Sequence, residues 1–270
     1  MERHLNLLSR TFFQWSAATA LVLLSGCGGG GGGKNDGSAA NTAARAQGAY
    51  EGTLGGSIFP NFQLLLLEDG AYYVLAGTGS GSAFVAEGLL EGSGTETSAT
   101  VFTSTNARDF GSQPPDSYNL SLNYVAQTSV AGSVTTSGGA AVATFNGTAV
   151  SGALYDYNAA AQLSNVVGSW DVSVNGVEDS TLTVNSNGTY SGTDGDGCSY
   201  SGTITPRSSG KNVFNVTYLS GPAPCSPAGT SAAGVVIVTT PSPGARQLLV
   251  VGTTPARTDA FLVTGVPTPP

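Results

Sequence analysis

Short apolar runs that alternate with polar residues, each closed by Gly, Pro, Asn or Asp, recur along this chain from about residue 48 onward. Thr181-Leu182-Thr183-Val184 alternates strictly, which predicts a strand with one buried and one wet face. Val213-Phe214-Asn215-Val216-Thr217-Tyr218 alternates in the same way. Residues 235–238 and 248–251 are continuous apolar runs of the length of fully buried strands. Asn185-Ser186-Asn187-Gly188 reads as a tight turn, because Asn and Gly tolerate positive φ. Gly or Pro flanks nearly every run, which argues against long helices. The exception is 153–163, Ala-rich and free of Gly and Pro, where a short helix is expected.

The pattern also repeats. Leu64, Leu66, Gly70 and Tyr72 find counterparts in Leu182, Val184, Gly188 and Tyr190, each 118 positions later. Gly48-Ala49-Tyr50 and Gly168-Ser169-Trp170 open the two units. Gly94-Thr95 matches Gly202-Thr203, and Val101-Phe102 matches Val213-Phe214. Ala131-Gly132-Ser133-Val134 matches Ala233-Gly234-Val235-Val236. The order is kept while the offset drifts, as loop insertions in a duplicated unit would produce. The expected fold class is all-β: two tandem small antiparallel β-barrels or sandwiches of about a hundred residues each.

The first 26 residues follow another pattern. Arg3 and Arg10 precede an apolar run over 12–24, followed by small residues, the order of a secretory signal. The run contains Gln14 and Ser16 and falls short of the roughly 20 apolar residues of a membrane span. Leu24-Ser25-Gly26-Cys27 closes it, and here the chain resembles bacterial lipoproteins. That resemblance implies cleavage between Gly26 and Cys27 and a diacylglyceryl group on the Cys27 sulfur. With Gly28 rather than Asp after the cysteine, it implies the outer membrane, facing either the periplasm or the surface. Two or three acyl chains anchor firmly where one binds marginally. Residues 28–46 then form a tether: six glycines followed by small polar residues that bury nothing. As a flexible coil it spans roughly 24 Å. The organisation is therefore 1–26 signal, 27–46 lipidated cysteine and tether, 47–152 first β domain, 153–166 linker with a possible short helix, and 167–270 second β domain.

Composition narrows the function. The whole chain carries a formal charge of −8 with nine basic residues. Clustered cations for a phosphate backbone are lacking, so nucleic acid is not an expected partner. The single histidine is His4, inside the signal, so the mature chain has none for a Ser-His-Asp or Cys-His site. No cofactor and no metal site is expected. Asp194-Gly195-Asp196-Gly197 has oxygen ligands but lacks the EF-hand spacing, and reads as a turn. Cys198 and Cys225 remain as an even pair in an oxidising compartment, which points to one disulfide. Arg207, Lys211 and Arg108 read as surface ion pairs or stems covering the core. Tyr72, Tyr118, Tyr124 and Tyr218 read either as core or as a binding face.

Gly168-Ser169-Trp170 resembles the lipocalin signature, in which a Trp at the barrel base packs under an Arg from a late strand. Arg246 is the matching candidate, and Tyr50 stands in the Trp place in the first unit, so Tyr50, Trp170 and Arg246 are candidate ligand or core residues. The stretch from Gly197-Cys198-Ser199-Tyr200 through Pro206-Arg207 to Val213-Phe214 resembles a family of uncharacterised Gram-negative lipoproteins, which supplies no activity. The expected function is non-enzymatic binding of a small apolar ligand or an envelope protein, with the membrane held through the lipid. A structural spacer or surface interaction protein is the alternative.

Overall fold

The computed structural model describes residues 45–174, 177–225 and 227–269. The lipobox residues Leu24, Ser25, Gly26 and Cys27 and the tether up to residue 44 lie outside the described residues.

Two closed eight-stranded antiparallel barrels follow one another, the architecture of the lipocalin-like reading. The first is built from β1 (Gly48–Gly55), β2 (Asn61–Leu66), β3 (Ala71–Thr78), β4 (Val85–Ser93), β5 (Thr95–Ser98), β6 (Val101–Asp109), β7 (Asp116–Val125), β8 (Ser129–Thr135) and β9 (Ala141–Ala149). Strand β4 continues past Gly94 into β5, and both pair with β6. Strand β9 pairs with β1 and closes the ring. The second comprises β10 (Gly168–Val174), β11 (Val177–Val184), β12 (Thr189–Thr193), β13 (Ser199–Pro206), β14 (Phe214–Ser220), β15 (Ser231–Thr239), β16 (Gln247–Thr253) and β17 (Ala260–Pro267), with β17 returning to β10. In the first barrel the ring closes through a short contact, Leu90 and Glu91 of β4 against Asp109 and Arg108 of β6.

Alternation explains the strands. In β7, Tyr118, Leu120, Leu122 and Tyr124 are buried while Ser121 and Asn123 face water. The turns use glycine where φ is positive: Gly70 and Gly188 both sit at φ +83°, each closing a hairpin at the same place in its barrel.

The repeat is physical. Tyr50 and Trp170 are fully buried near the starts of β1 and β10. Each donates to the carbonyl four residues back: the Tyr50 hydroxyl to Ala46 at 2.9 Å, Trp170 Nε1 to Val166 at 2.8 Å. Leu64, Leu66, Tyr72 and Phe102 build the lumen of the first barrel as Leu182, Val184, Tyr190 and Phe214 build the second. Two alignments need correction. Tyr72 faces Gly92 and Tyr190 faces Gly202, so the partner of Gly202 is Gly92, two residues before Gly94. A Cβ on either glycine would collide with the tyrosine hydroxyl, at 2.4 Å and 2.8 Å. Ala131 lies on β8, the seventh barrel strand, while Ala233 lies on β15, the sixth of its own barrel, so that match joins inequivalent strands. Small residues recur wherever a neighbouring ring needs room, and the likeness is one of composition.

The linker also differs from expectation. Residues 153–163 form turns, and only Leu163–Asn165 makes a single 3-10 turn. Tyr155 and Tyr157, 4% and 5% exposed, wedge against both barrels. The Tyr155 hydroxyl donates to the Asn212 carbonyl, and the Tyr157 hydroxyl to Gln47 Oε1 at 3.3 Å. Tertiary packing of the tyrosines overrides the helix propensity of the alanines.

Candidate functional site

The lumen of the first barrel is packed. Among the spaces lined by described residues, the one inside the first barrel, between Phe62, Leu90, Leu120 and Phe145, measures about 10 Å³. That is room for a single water molecule. In the second barrel Trp170 is 0% exposed. The Arg246 guanidinium lies 5.3 Å from the Trp170 ring centre and donates to the Asn165 carbonyl at 3.0 Å. Two sequence-named residues, Trp170 and Arg246, therefore meet at one base beside the 3-10 turn of the linker, with Arg246 in the loop just before β16 and not on a strand. At the base of the first barrel Arg45 pairs with Glu96 at 3.1 Å. There the Tyr50 hydroxyl accepts from the Gln127 backbone N–H at 3.2 Å.

A third apolar cluster lies between the barrels. Leu65, Leu67, Leu75 and Leu89 project outward from the first barrel and meet Val235, Ile237, Val251 and Leu262 of the second, with Tyr155 and Tyr157 alongside. Sequence reasoning identified the runs at 235–238 and 248–251 as buried but did not see what covered their outer faces. The signal was the lost alternation: in Leu64-Leu65-Leu66-Leu67 the even residues fill the lumen and the odd ones fill the interface.

Two arginines span this interface. Arg207 reaches Glu68 Oε1 through Nη2 at 2.7 Å and Nε at 3.0 Å, and Asp69 Oδ2 at 2.9 Å. Arg257 donates Nε to Glu91 Oε2 at 2.7 Å, and Nη2 to the carbonyls of Glu91 at 2.9 Å and Asn106 at 2.8 Å. Burial pushes the Glu91 carboxyl above the usual range, and Arg257 only partly opposes it. The surface ion pairs expected for Arg207 are thus contacts between domains. Lys211 lies 5.6 Å from the Tyr157 ring centre and donates to Asn158 Oδ1 at 2.9 Å.

Where the interface is incompletely filled it leaves a cleft of about 40 Å³. Leu65, Tyr73 and Leu75 form one wall, Val235, Ile237, Leu249 and Val251 the other, and Val150, Leu154 and Tyr155 the floor; Gln63 and Thr239 are its polar points. Burial pushes the Tyr73 hydroxyl up to about 12, so it stays protonated.

The remaining candidates settle into structural places. Cys198 and Cys225 are joined, with Cα atoms 4.6 Å apart. Asp194 Oδ1 accepts from the backbone N–H of Asp196 at 3.0 Å and of Cys198 at 2.8 Å, a turn-making arrangement. Tyr72, Tyr118 and Tyr124 are buried in the first lumen. Tyr218 is half-buried at the far end of the second. Asp109 is a buried carboxyl, 2% exposed, that the sequence did not single out for chemistry. Burial pushes it up to about 7, while a hydrogen bond from the Gly111 N–H at 2.8 Å pulls the other way.

No family model and no curated protein matches the chain. Among solved structures it is similar to a crystal structure of a protein with unknown function from the DUF3598 family of Nostoc punctiforme PCC 73102. Identity is 11%, the match covers 83% of this chain and 97% of the other, and the TM-score is 0.27.

Proposed function

We propose that this chain is a lipid-anchored outer-membrane protein that works by binding an envelope protein, not by catalysis, with the cleft between its barrels as the apolar contact point. The membrane assignment rests on the Leu24-Ser25-Gly26-Cys27 motif followed by Gly28. The observation that carries the binding site is where space remains. The first lumen has room for about one water, whereas an apolar cleft persists where the two barrels meet. At about 40 Å³ it is far below the several hundred Å³ that enclose a free small-molecule ligand. It suits one apolar side chain of a partner, the anchor-in-pocket arrangement that concentrates interface energy. Binding rather than catalysis is favoured because the mature chain has no histidine, and Glu68 and Glu91 are engaged by arginines.

The test is photo-cross-linking in intact cells from Gln63, at the cleft, and from Thr203, on the exposed outer face of the second barrel. A discrete adduct from Gln63 that is absent from Thr203 is the expected result; equal or absent adducts from both overturn the reading. Independently, Cys27→Ala removes fatty-acid labelling; unchanged labelling defeats the anchor. A spacer role is the second reading, favoured by the interface that clamps the barrels together beyond a long tether.

A further inference from the structure

The end of the second barrel remote from Trp170 carries three aromatic rings that neither the lipid anchor nor the inter-barrel cleft uses. Tyr200 opens β13, Tyr218 lies near the end of β14 and Phe261 near the start of β17, so all three stand at the same rim. Their register points them into the lumen. Tyr218 alternates with Phe214 and Val216, which belong to the core around Trp170, and Tyr200 and Phe261 pack against that core. The rings are stacked, Tyr200 on Tyr218 at 6.1 Å and 28°, Tyr218 on Phe261 at 5.5 Å and 30°. Glycines clear the wall for them. A Cβ on Gly192 would stand 2.3 Å from the Tyr200 ring, and one on Gly252 would stand 2.5 Å from Phe261.

A stack that served only as core would be covered. Tyr190 and Phe214, deeper in the lumen, are buried, while Tyr200, Tyr218 and Phe261 all remain partly exposed. The Tyr190 hydroxyl donates to the Thr217 carbonyl at 2.7 Å and that of Tyr200 to Thr181 at 2.9 Å. Among the described residues the Tyr218 hydroxyl has no such partner. Around the rim, the loops at 194–198 and 221–230 are joined by the Cys198–Cys225 bond, so the mouth is held in shape before anything enters it. Asp194 stands on the loop between β12 and β13 at this rim, its Oδ1 taken by the turn at Asp196 and Cys198. The only cation in the loops at 194–198, 221–230 and 254–259 is Arg257, and it is turned away to Glu91. An anionic ligand finds no counter-charge here, whereas aromatic faces, a free hydroxyl and a carboxylate are all available.

We propose that this mouth binds a neutral pyranose ring, its C–H face laid on the exposed aromatic stack and its hydroxyls meeting the Tyr218 hydroxyl and Asp194. The negative face of an aromatic ring attracts the positively polarised C–H face of a sugar. The free phenol donates to or accepts from a sugar hydroxyl, and the carboxylate accepts from one. The site is separate from the inter-barrel cleft and stands whether or not a protein partner docks there.

The test is saturation-transfer NMR with the full-length mature protein, using N-acetylglucosamine and methyl β-glucopyranoside as probes. The expected result is transfer to the ring C–H protons of at least one probe. Tyr218→Phe, which keeps the stack and removes only the free hydroxyl, weakens binding several-fold. Phe261→Leu, which keeps apolar volume but removes the π face, weakens it about tenfold, and unchanged Trp170 fluorescence checks that each variant is folded. A β-1,4-linked tetramer of N-acetylglucosamine separates the two sources of such a ring. Several-fold tighter binding of the tetramer identifies an envelope glycan, and equal affinity a free sugar; both uphold the site. No transfer to either pyranoside, transfer unchanged in both variants, or binding of phenol in place of the sugars overturns it.

Discussion

Arg257 offers the sharpest test of how the two barrels are held together. Its guanidinium makes three hydrogen bonds to the first barrel, one to the Glu91 carboxylate and two to backbone carbonyls. The side chains of Arg257 and Glu91 are 26% and 15% exposed, so the pair lies between a surface bridge and a buried one. Breaking a fully buried pair costs roughly 3–5 kcal/mol, while exposed pairs contribute about 1 kcal/mol or less. Arg257→Ala is therefore expected to cost about 2–3 kcal/mol, much of it from Glu91 left desolvated without its partner. The backbone supplies a second handle. Arg257 sits at φ +53°, a left-handed conformation that costs a residue with a Cβ roughly 1–2 kcal/mol. Arg257→Gly loses the same hydrogen bonds but regains part of that strain, so it is expected to be more stable than Arg257→Ala by about 1 kcal/mol. Urea unfolding measures both, followed by fluorescence of Trp170, the one tryptophan among the described residues, and by far-ultraviolet circular dichroism for both barrels. A loss under about 0.5 kcal/mol in Arg257→Ala, or a glycine variant less stable than the alanine one, refutes the account.

Asp109 predicts a pH dependence. Its carboxyl is raised to about 7 in the folded protein, against about 3.9 in an unfolded chain, so the folded state binds the extra proton. The stability it contributes is complete below about pH 4 and is lost as pH rises through 7. Asp109→Asn keeps an acceptor for the Gly111 N–H and removes the loss, so it is expected to exceed wild type by roughly 2–4 kcal/mol at pH 8 and to match it near pH 4; equal stability at both pH values in urea titrations counts against this. Replacing Cys198 and Cys225 together by serine opens a bridge between residues 27 apart and lowers stability by about 3.5 kcal/mol in the chain-entropy model, read from the shift in the urea midpoint. Trp170→Phe keeps a ring at the base but drops the bond to the Val166 carbonyl and weakens the contact with Arg246. A loss of about 1–2 kcal/mol is expected in urea unfolding followed by circular dichroism, since the substitution removes the fluorescent ring, and no loss removes the base motif from the stability account.

The sequence exposed what is local. Alternation in Thr181-Leu182-Thr183-Val184 and the Asn185–Gly188 turn give both a strand and its hairpin, because period-2 burial and positive φ are written within a few residues. The constant offset of 118 marked positions that fill the two lumens alike. The match of Gly94 to Gly202, made at a different offset, failed. A glycine on a barrel wall answers a ring on the neighbouring strand, and only the register shows that Gly92, not Gly94, lies opposite Tyr72. The 153–163 stretch misled for the opposite reason, since its alanines speak for helix locally while Tyr155 and Tyr157 are committed to distant partners.

What stayed hidden is a single feature seen from several positions. Contacts between Arg207 and Glu68 join residues 139 apart in the chain, and those between Arg257 and Glu91 join residues 166 apart. Each of these residues, taken alone, is an ordinary charge on a turn or strand end. The apolar runs on β2, β15 and β16 did signal burial on both faces, but a barrel supplies only one interior. The second face required a partner, and within this chain the partner is the other barrel. Two closed barrels would otherwise be independent bodies, so the outward leucines and valines are what join them into one unit. The cleft follows from that conversion, because two convex walls cannot be packed together without residue at their margin. A partner's side chain that fills the gap would add apolar burial to an interface already clamped by two arginines, which predicts that binding there raises the unfolding temperature of both barrels together.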